Sequence, residues 1–555
     1  MESSFTRWVD QHLRSQAEKV QTAESQNFLE ELDDEQSSAL ERVESYHKFL
    51  NEKSSLELEK ALLEEMPPEL FEELGLPSHT IPRIYRPLPR WSDRIEGNVE
   101  QVSNHLCDLA VLKRNYIDKA VTSLYEGLPL PEGAKVILFT YVIADGLGDF
   151  AAQCAIAQLL IEEFPHLDIE LVTLVHESVR IELPLKGAII PYKSKESAHF
   201  SKFSEKVMKA MASADLVFQV ATCYPFWDEL KKTFKGPAFE FLGEYGFSDL
   251  PEYATSTGAK CMGLHFLEKG ILINQRLSSQ CEAKDAVQKL FGDQYQTSHH
   301  LHIGYLSSEK GYYLFLGALL KFHAECDRSI DIVFPNTDHL MASLEKYLYD
   351  SKGGFPLLAK YGVKEIEIHH KGNRWLIETA PSGKKLRFFS FGRLSMKDFE
   401  ALVALSHPIM GCRGNQSFSL AVSAGKLPFY EVQVHTRPFL KDLIGLAKHL
   451  LPEHSQVGEY LALFLEVYDL NLQEVGEQLG EILKSSEVSR GIQELNKIIR
   501  TEYSVNPYVC NLVRRALSSS GQYKIEEELV DLFTRGEVSF PQLMHRIKKA
   551  LAENR

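Results

Sequence analysis

Two carboxylates flank a pair of glycines in the sequence DGLGD at residues 145–149, directly after a run of apolar residues. Glycines let a backbone approach a ligand closely, and either carboxylate offers a base for removing a proton. The loop lies between a predicted strand and a predicted helix, where ligands bind in doubly wound α/β sheets. The structural alternative is that Asp149 caps the helix and Asp145 stabilises the turn. Because the loop lacks the third glycine of GxGxxG, it indicates a dinucleotide site only weakly.

A second loop, RGNQSFSLAVSAGK at residues 413–426, follows a predicted strand and continues into a predicted helix that ends at Gly425. The free N–H groups and the dipole of a helix N-terminus favour a diphosphate. Ser417 adds a hydroxyl donor, and the guanidinium of Arg413 can neutralise a departing diphosphate. The alternative is an ordinary helix start, with Ser417 near the N-cap and Gly425 just after the C-terminus.

Acidic and aromatic residues offer weaker candidates elsewhere. Glu244 and Tyr245 lie in a glycine-containing segment and could contact the acceptor, although a surface turn explains them as well. Glu431 and His435 follow a predicted strand and could face the ligand edge of its sheet.

Metal sites and several common catalytic motifs are not indicated. The adjacent pairs His299-His300 and His369-His370 point to opposite faces of a strand, which makes each pair a poor chelator. The sequence contains no GxxxxGK[ST], HExxH or GxSxG, so P-loop NTPase, zincin and α/β-hydrolase functions lose support. We therefore expect no metal and no cofactor beyond a donor substrate.

Strand and helix patterns alternate in two series, which predicts an α/β protein with two Rossmann-like parallel-sheet domains. Residues 1–130 are predicted to form a helical extension with a proline-rich connector, and 451–555 a helical C-terminal region. The domains between them span 131–298 and 299–450. Predicted strands of the first domain are 135–144, 169–175 and 214–222. Those of the second are 301–307, 331–336, 363–370, 385–392, a strand and loop over 407–414, and the segment from 427.

Composition sets the class of protein. A chain of 555 residues with 44% hydrophobic and 25% charged residues is long enough for several globular domains. Its net charge of −16 argues against general nucleic-acid binding, and no apolar run reaches the roughly 20 residues of a membrane span. The eight cysteines are scattered, and the polar N-terminus lacks a signal-peptide core, so we expect a cytoplasmic protein. The alternative is export by a secretion system that uses no signal peptide.

The two loops resemble those of bacterial protein-arginine rhamnosyltransferases, which modify elongation factor P and have the GT-B fold. That family carries a DNFGD-like loop after its first strand and a loop close to RGEDSF…AGKPF. The corresponding sequences here are DGLGD at 145–149 and RGNQSF…AGKLPF at 413–429, and the segment FGRLSMKDFEALVALS before the second loop is also similar. The resemblance covers about residues 135–450. It implies two Rossmann-like domains facing a cleft.

The resemblance also implies roles for individual residues. Asp149 would be the general base on the acceptor, with Asp145 supporting it. The donor-binding residues would be Gly148, Arg413, Gly414, Asn415, Gln416, Ser417, Phe418 and Met396, with Ser417 at the diphosphate and Met396 where the family has a glutamine near the nucleotide base. Asn415 and Gln416 replace acidic residues of the family, which separates this chain from arginine as acceptor and dTDP-rhamnose as donor.

Two functions from different classes follow. The first is a metal-independent, inverting glycosyltransferase that moves a sugar from a nucleotide sugar to an acceptor, with a protein side chain favoured over a small glycan. The alternative is a catalytically inactive, GT-B-derived binding or scaffold protein, which the loss of acidic residues at 415 and 416 would fit. A GT-B-fold epimerase or phosphorylase is a third possibility. Donor binding and donor turnover distinguish these hypotheses.

Overall fold

The computed structural model describes most of the chain from residue 121 onward, together with residue 118. The predicted N-terminal extension and proline-rich connector therefore lie almost entirely outside the described residues. These are 118, 121–142, 147–193, 203–222, 227–245, 260–264, 268–274, 280–334, 354–370, 372–391, 394–433, 436–466, 472–518, 526, 528–530, 532, 538 and 540–553.

The described chain forms two compact units. The first contains the residues up to Ile271 and again from Val505, and the second contains Leu272–Ser504. The sequence-based boundary at 298/299 lies within the second unit, and the predicted C-terminal region 451–555 is divided between the two. This division has a simple cause: helices after residue 451 pack first on the second unit, and only the segment after Ser504 packs on the first.

The first unit contains a five-stranded, wholly parallel sheet in the order β3-β2-β1-β4-β5. Its central strand is the predicted run KVILFTYV, which is buried on both faces, as expected for a parallel sheet covered by helices. The strands are β1 (Lys135–Val142), β2 (Asp168–His176), β3 (Gly187–Tyr192), β4 (Leu216–Thr222) and β5 (Ala238–Gly243). The helices are α1 (Gly148–Glu163), α2 (Glu205–Ala212), α3 (Trp227–Thr233), α13 (Asn506–Ala516) and α14 (Phe540–Glu553).

The second unit contains a seven-stranded sheet in the order β12-β11-β6-β7-β10-β8-β9. All pairs are parallel except β8 with β9 at the edge. The strands are β6 (His300–Gly304), β7 (Ile330–Val333), β8 (Val363–His370), β9 (Asn373–Glu378), β10 (Lys384–Ser390), β11 (Ile409–Cys412) and β12 (Leu427–Tyr430). The helices are α4 (Gln280–Phe291), α5 (Glu309–Phe322), α6 (Gly354–Lys360), α7 (Met396–Leu405), α8 (Asn415–Ser423), α9 (Arg437–Leu450), α10 (Ser455–Glu466), α11 (Leu472–Lys484) and α12 (Ser486–Glu502).

The structure confirms the predicted α/β class with two Rossmann-like sheets. Three strands have no counterpart among the predicted ones: β3, β5 and β9. Edge position explains two of them, because β3 contains Pro191 and β9 is exposed along most of its length, so neither shows a buried apolar run. The sequence also failed to predict that β9 would be antiparallel.

Strand order locates the ligand edge of each sheet. In the first sheet the chain adds β2 and β3 on one side of β1 and then crosses to add β4 and β5 on the other side. In the second sheet it adds β7 to β10 on one side of β6 and then crosses to add β11 and β12 on the other. A topological switch point therefore lies between β1 and β4 in the first unit and between β6 and β11 in the second. Ligands of open α/β sheets bind outside the carboxyl ends of the strands at such points. None of the helices among the described residues has the length and apolar character needed to cross a bilayer.

A buried ionic network ties the final segment of the first unit to its earlier part. Arg515 binds Asp118 through Nη1 at 2.6 Å and Glu526 through Nε at 3.0 Å, and Lys269 lies 3.3 Å from Asp118. Tyr125 donates to Glu526 at 2.6 Å. Burial would raise the pKa of Asp118, but the charges of the neighbouring Lys260, Lys269 and Arg515 outweigh it and hold that pKa well below its usual range.

Candidate functional site

The DGLGD loop leads into helix α1 of the first unit. Asp149 is the second residue of α1 and is half-buried, whereas Asp145 lies outside the described residues. Leu147 is the N-cap residue of this helix. Asp149 therefore does not occupy the N-cap position, which was the structural alternative to a catalytic role. A carboxylate in the first turn is stabilised by the positive end of the helix dipole, which favours the charged form that a base requires. Gly148 is the first residue of the same helix.

The RGNQSF loop forms the start of helix α8 in the second unit. It follows β11, one of the two strands at the switch point, with Gly414 as N-cap and Asn415 as the first helical residue. The first turn contains no acidic residue. Backbone N–H groups at this end lack partners within the helix, so the geometry suits an anion. At the other end Gly425, with φ of +66°, follows the C-cap as the sequence predicts.

Ser417 shapes the loop through its own backbone. Its Oγ accepts hydrogen bonds from the N–H groups of Arg413 (3.1 Å) and Gly414 (3.2 Å) and donates to the carbonyl of Gly414 (2.9 Å). The single hydroxyl proton is thus directed to the loop itself. In this conformation Ser417 fixes the loop, while the backbone N–H groups of the helix start supply the anion-binding geometry.

Asn415 and Phe418 point into the protein interior. The Asn415 side chain is buried, and its Oδ1 accepts a hydrogen bond from the Tyr430 hydroxyl at 2.8 Å. Phe418 is buried against Tyr430 and Phe439. Arg413 and Gln416 are half-buried. The side chain at position 415 therefore packs in the interior beneath the helix start. Its amide oxygen provides the hydrogen-bond acceptor for the buried Tyr430 hydroxyl.

Glu431 occupies the neighbouring helix N-terminus at the same switch point. Its carboxylate accepts hydrogen bonds from the backbone N–H of Ser307 (2.6 Å) and of Ser308 (2.7 Å), which form the loop between β6 and α5. Gly311 permits this approach, because a Cβ there would lie 2.7 Å from Glu431 Oε1. An internal anion thus already neutralises the start of α5.

Arg413 and Glu431 act on a shared neighbour, Tyr312. Burial is the main reason why the pKa of Tyr312 lies well above its usual value, and the negative charge of Glu431 raises it further. The positive charge of Arg413 lowers the same pKa in part. The Tyr312 hydroxyl donates to Leu306 O at 2.7 Å. Two helices therefore begin at the carboxyl ends of β6 and β11. The start of α5 is neutralised by Glu431, whereas the start of α8 has the guanidinium of Arg413 and no acidic residue in its first turn.

The remaining predicted site residues belong to other segments of the two units. Met396 is the first residue of α7 and is 39% exposed. In the first unit, Glu244 follows β5 and is half-buried, and Tyr245 is fully buried, which is an unusual place for an acceptor contact. His435 lies outside the described residues.

A buried lysine lies in the AGKLPF stretch at residues 424–429, which follows α8. Lys426 is 7% exposed, and its Nζ donates to Ser406 O at 2.5 Å. Burial lowers the pKa of Lys426 to about 8. The lysine is bonded to a backbone carbonyl in the core, so it does not contribute charge to the start of α8.

The architecture defines a protein with two Rossmann-like α/β units, and several solved structures are similar to it. No protein-family model matches the chain, and no curated protein sequence matches it. A glycosyltransferase from Rickettsia africae ESF-5 is 11% identical, with a TM-score of 0.36 over 70% of this chain and 99% of that one.

Two further solved structures are similar to the chain at the same level. A putative UDP-N-acetylglucosamine 2-epimerase from Listeria monocytogenes is 12% identical, with a TM-score of 0.40 over 70% of this chain and 98% of that one. MurG of Acinetobacter baumannii is 11% identical, with a TM-score of 0.35 over 69% and 99%. Similarities at this level assign the chain to no family, so function has to be argued from the site.

Proposed function

We propose that this chain is a glycosyltransferase that binds the diphosphate of a nucleotide-sugar donor at the N-terminus of α8. The observation that carries the proposal is electrostatic. Of the two helix starts at the switch point of the second sheet, the one after β6 is neutralised by Glu431, whereas the one after β11 has Arg413 and no acid. The similarity of RGNQSF…AGKLPF to the rhamnosyltransferase loop supports the same position.

The proposed reaction is a direct displacement with inversion and without a metal ion. Asp149 accepts the proton of the acceptor, whose lone pair attacks the anomeric carbon of the sugar. The bond between that carbon and the diphosphate oxygen breaks, and the oxygen keeps the electron pair. The α8 N–H groups and the Arg413 guanidinium stabilise the charge that develops there.

A protein side chain is the proposed acceptor, in a cytoplasmic setting. The proposed acceptor rests on the resemblance to protein-arginine rhamnosyltransferases, and the proposed setting rests on the scattered cysteines and the polar N-terminus. The amide at 415 is directed to Tyr430 in the structure, so the missing acid at that position does not by itself remove a donor contact. The uncharged Gln416, which is half-buried, is the stronger sign of a different sugar or acceptor.

Donor binding tests the proposal. Calorimetry with a panel of nucleotide sugars is expected to find a donor that binds the wild-type chain. Arg413→Gln should weaken that binding by about tenfold to 100-fold, since a charge-assisted hydrogen bond contributes roughly 1.5–3 kcal/mol. The matched control is Arg490→Gln, which removes an exposed guanidinium that donates to Ser486 O on its own helix.

Turnover separates the enzyme from its alternative, an inactive binding protein, which the uncharged residues at 415 and 416 favour. Asp149→Ala should retain donor affinity but lose donor turnover, measured as released nucleoside diphosphate. Full turnover in this variant would show that Asp149 is not the base. A wild-type chain that binds no nucleotide sugar would contradict the glycosyltransferase proposal, and binding without turnover would support the scaffold.

A further inference from the structure

Four histidines gather at the amino edge of the second sheet, opposite the edge that carries the RGNQSF loop. His300 and His302 come from β6, His407 immediately precedes β11, and His323 is the C-cap of α5. Nitrogens of His300, His323 and His407 all lie within 4.8 Å of one another. The i, i+2 pair His300 and His302 places two imidazoles on one face of β6, which the adjacent pairs in the sequence did not indicate.

We propose that His300, His323 and His407 form a transition-metal site, with the Cys326 thiolate as fourth ligand. Cys326 Sγ lies 3.4 Å from Nε2 of His300. Three imidazoles and one thiolate are a ligand set suited to Zn²⁺, which prefers four N or S ligands in a tetrahedron. The site is independent of the proposed sugar transfer.

The fourth histidine orients one of the ligands. His302 Nδ1 lies 3.2 Å from Ile409 O, and because a carbonyl only accepts, this nitrogen carries the proton. In the neutral ring Nε2 is then the acceptor for Nε2–H of His323, at 2.9 Å. The lone pair of His323 is left on Nδ1. A ligand whose other nitrogen is held by a buried partner is the usual arrangement around protein-bound metals.

The charges around the cluster act in both directions. The C-terminal end of a helix dipole, where His323 lies, favours a cation. Arg328, Lys384 and Lys426 also face the cluster and oppose a dication, although Lys384 Nζ is bonded to the carbonyls of His323 and Cys326.

Metal binding requires a contraction of the cluster. Bonds of about 2 Å to a tetrahedral ion set ligand nitrogens about 3.3 Å apart, so the three rings have to turn inward from their present separation. The rings of His300 and His323 are now stacked, with centroids 4.4 Å apart. The competing explanation is a packed cluster of neutral histidines that holds no ion.

Cobalt absorption distinguishes the two. The full-length chain, stripped with a chelator and titrated with Co²⁺, is expected to bind one equivalent with visible bands of a tetrahedral ion and a thiolate charge-transfer band. His300→Gln and His407→Gln should each weaken binding by more than about tenfold, since even outer-shell partners contribute that much. Cys326→Ser should abolish the charge-transfer band, and Zn²⁺ should displace the cobalt.

The control is His299→Gln, which alters the neighbouring ring just before β6; its Nδ1 lies 2.8 Å from Asp331 Oδ1. This variant should bind Co²⁺ as the wild type does. The proposal fails if the wild type takes up no more Co²⁺ than the His300→Gln/His407→Gln double variant. An unchanged spectrum in Cys326→Ser would overturn the thiolate ligand. Circular dichroism of each variant confirms that folding is retained.

Discussion

Single residues give the two helix starts at the carboxyl edge of the second sheet opposite electrostatic character. Glu431 satisfies the N–H groups of Ser307 and Ser308, so an external anion at α5 would have to displace a carboxylate already bonded there. At α8 the corresponding groups lie beside Arg413 and no acid. A difference of one side chain at each position therefore makes α8, and not α5, the candidate for phosphate binding.

Lys426 should make stability depend on pH in the alkaline range. The pKa of this lysine falls from 10.5 to about 8 on folding. Between those values the unfolded chain binds more protons, so the free energy of unfolding rises with pH by up to about 1.4 kcal/mol per unit. Below pH 8 both states are protonated and the full burial penalty applies, and above 10.5 it disappears.

Urea unfolding at several pH values, compared with Lys426→Met, isolates this contribution. The free energy of unfolding of the wild type minus that of the variant should rise between pH 8 and 10.5. The contributions of the other titrating groups are the same in both proteins and cancel in this difference. Exposed Lys441→Met is the control and should leave the profile of the wild type unchanged. Identical slopes for wild type and Lys426→Met would show that the buried amine does not titrate as inferred.

The position of the candidate site could be predicted from sequence, but the direction of its side chains could not. The strand-loop-helix pattern locates RGNQSF at a ligand edge, because backbone geometry there depends on local sequence. Whether Asn415 faces a ligand or Tyr430 depends on a strand 15 residues away in the chain. The histidine cluster was missed for the same reason, since its members come from two strands and a helix end.

At the scale of elements, one helix pair is packed unusually tightly. Helix α11 crosses α5 where Gly476 and Gly480 face Gly317 and its neighbours, and a Cβ at Gly480 would lie 2.5 Å from Ala318 O. The glycines at i and i+4 thus let two backbones approach. The predicted helical character of the segment after 451 was correct for α11, but nothing in its periodicity named α5 as the partner.

Substitution of two of these glycines should have opposite effects on stability. Gly480→Ala is expected to lower the free energy of unfolding by about 1–3 kcal/mol, because the methyl group overlaps a backbone carbonyl. Gly317→Ala should be tolerated or stabilising by up to about 1 kcal/mol, since its Cβ would lie at an ordinary 3.5 Å from Gly476 Cα and alanine favours helix. Chemical denaturation of both variants measures the difference, and equal losses would contradict the inferred packing.

At the scale of the whole molecule, the fold class followed from periodicity, whereas the assignment of the C-terminal segment did not. The continuous apolar run of β1 predicted a buried parallel strand, and the structure has it at the centre of its sheet. Helices α12 and α13 have similar amphipathic sequences, yet they belong to different units. Helix α13 carries Arg515, whose buried ion pair joins it to Asp118, 397 residues earlier in the chain.

Arg515→Met should destabilise the first unit severely. The change leaves Glu526 buried without the guanidinium that pairs with it and removes one of three positive charges around Asp118, which costs about 3–5 kcal/mol for a broken buried pair. The adjacent Arg514→Met is the control, because Arg514 pairs with the partly exposed Glu163 and should cost about 1 kcal/mol or less. Guanidinium unfolding compares them, and a loss below that of the control would show the network to be dispensable.

The first unit is built from two separate segments of the chain, up to Ile271 and from Val505 onward, and this has a consequence for biosynthesis. On the ribosome, Asp118 and Tyr125 emerge long before Tyr508, Arg515 and Glu526, with all of residues 272–504 translated in between. At about 5–20 residues per second the nascent first unit waits roughly 10 to 50 seconds for its closing helices. During that interval buried charges such as Asp118 and Lys269 have no complete set of partners. The later unit, though translated second, is the first whose chain is complete.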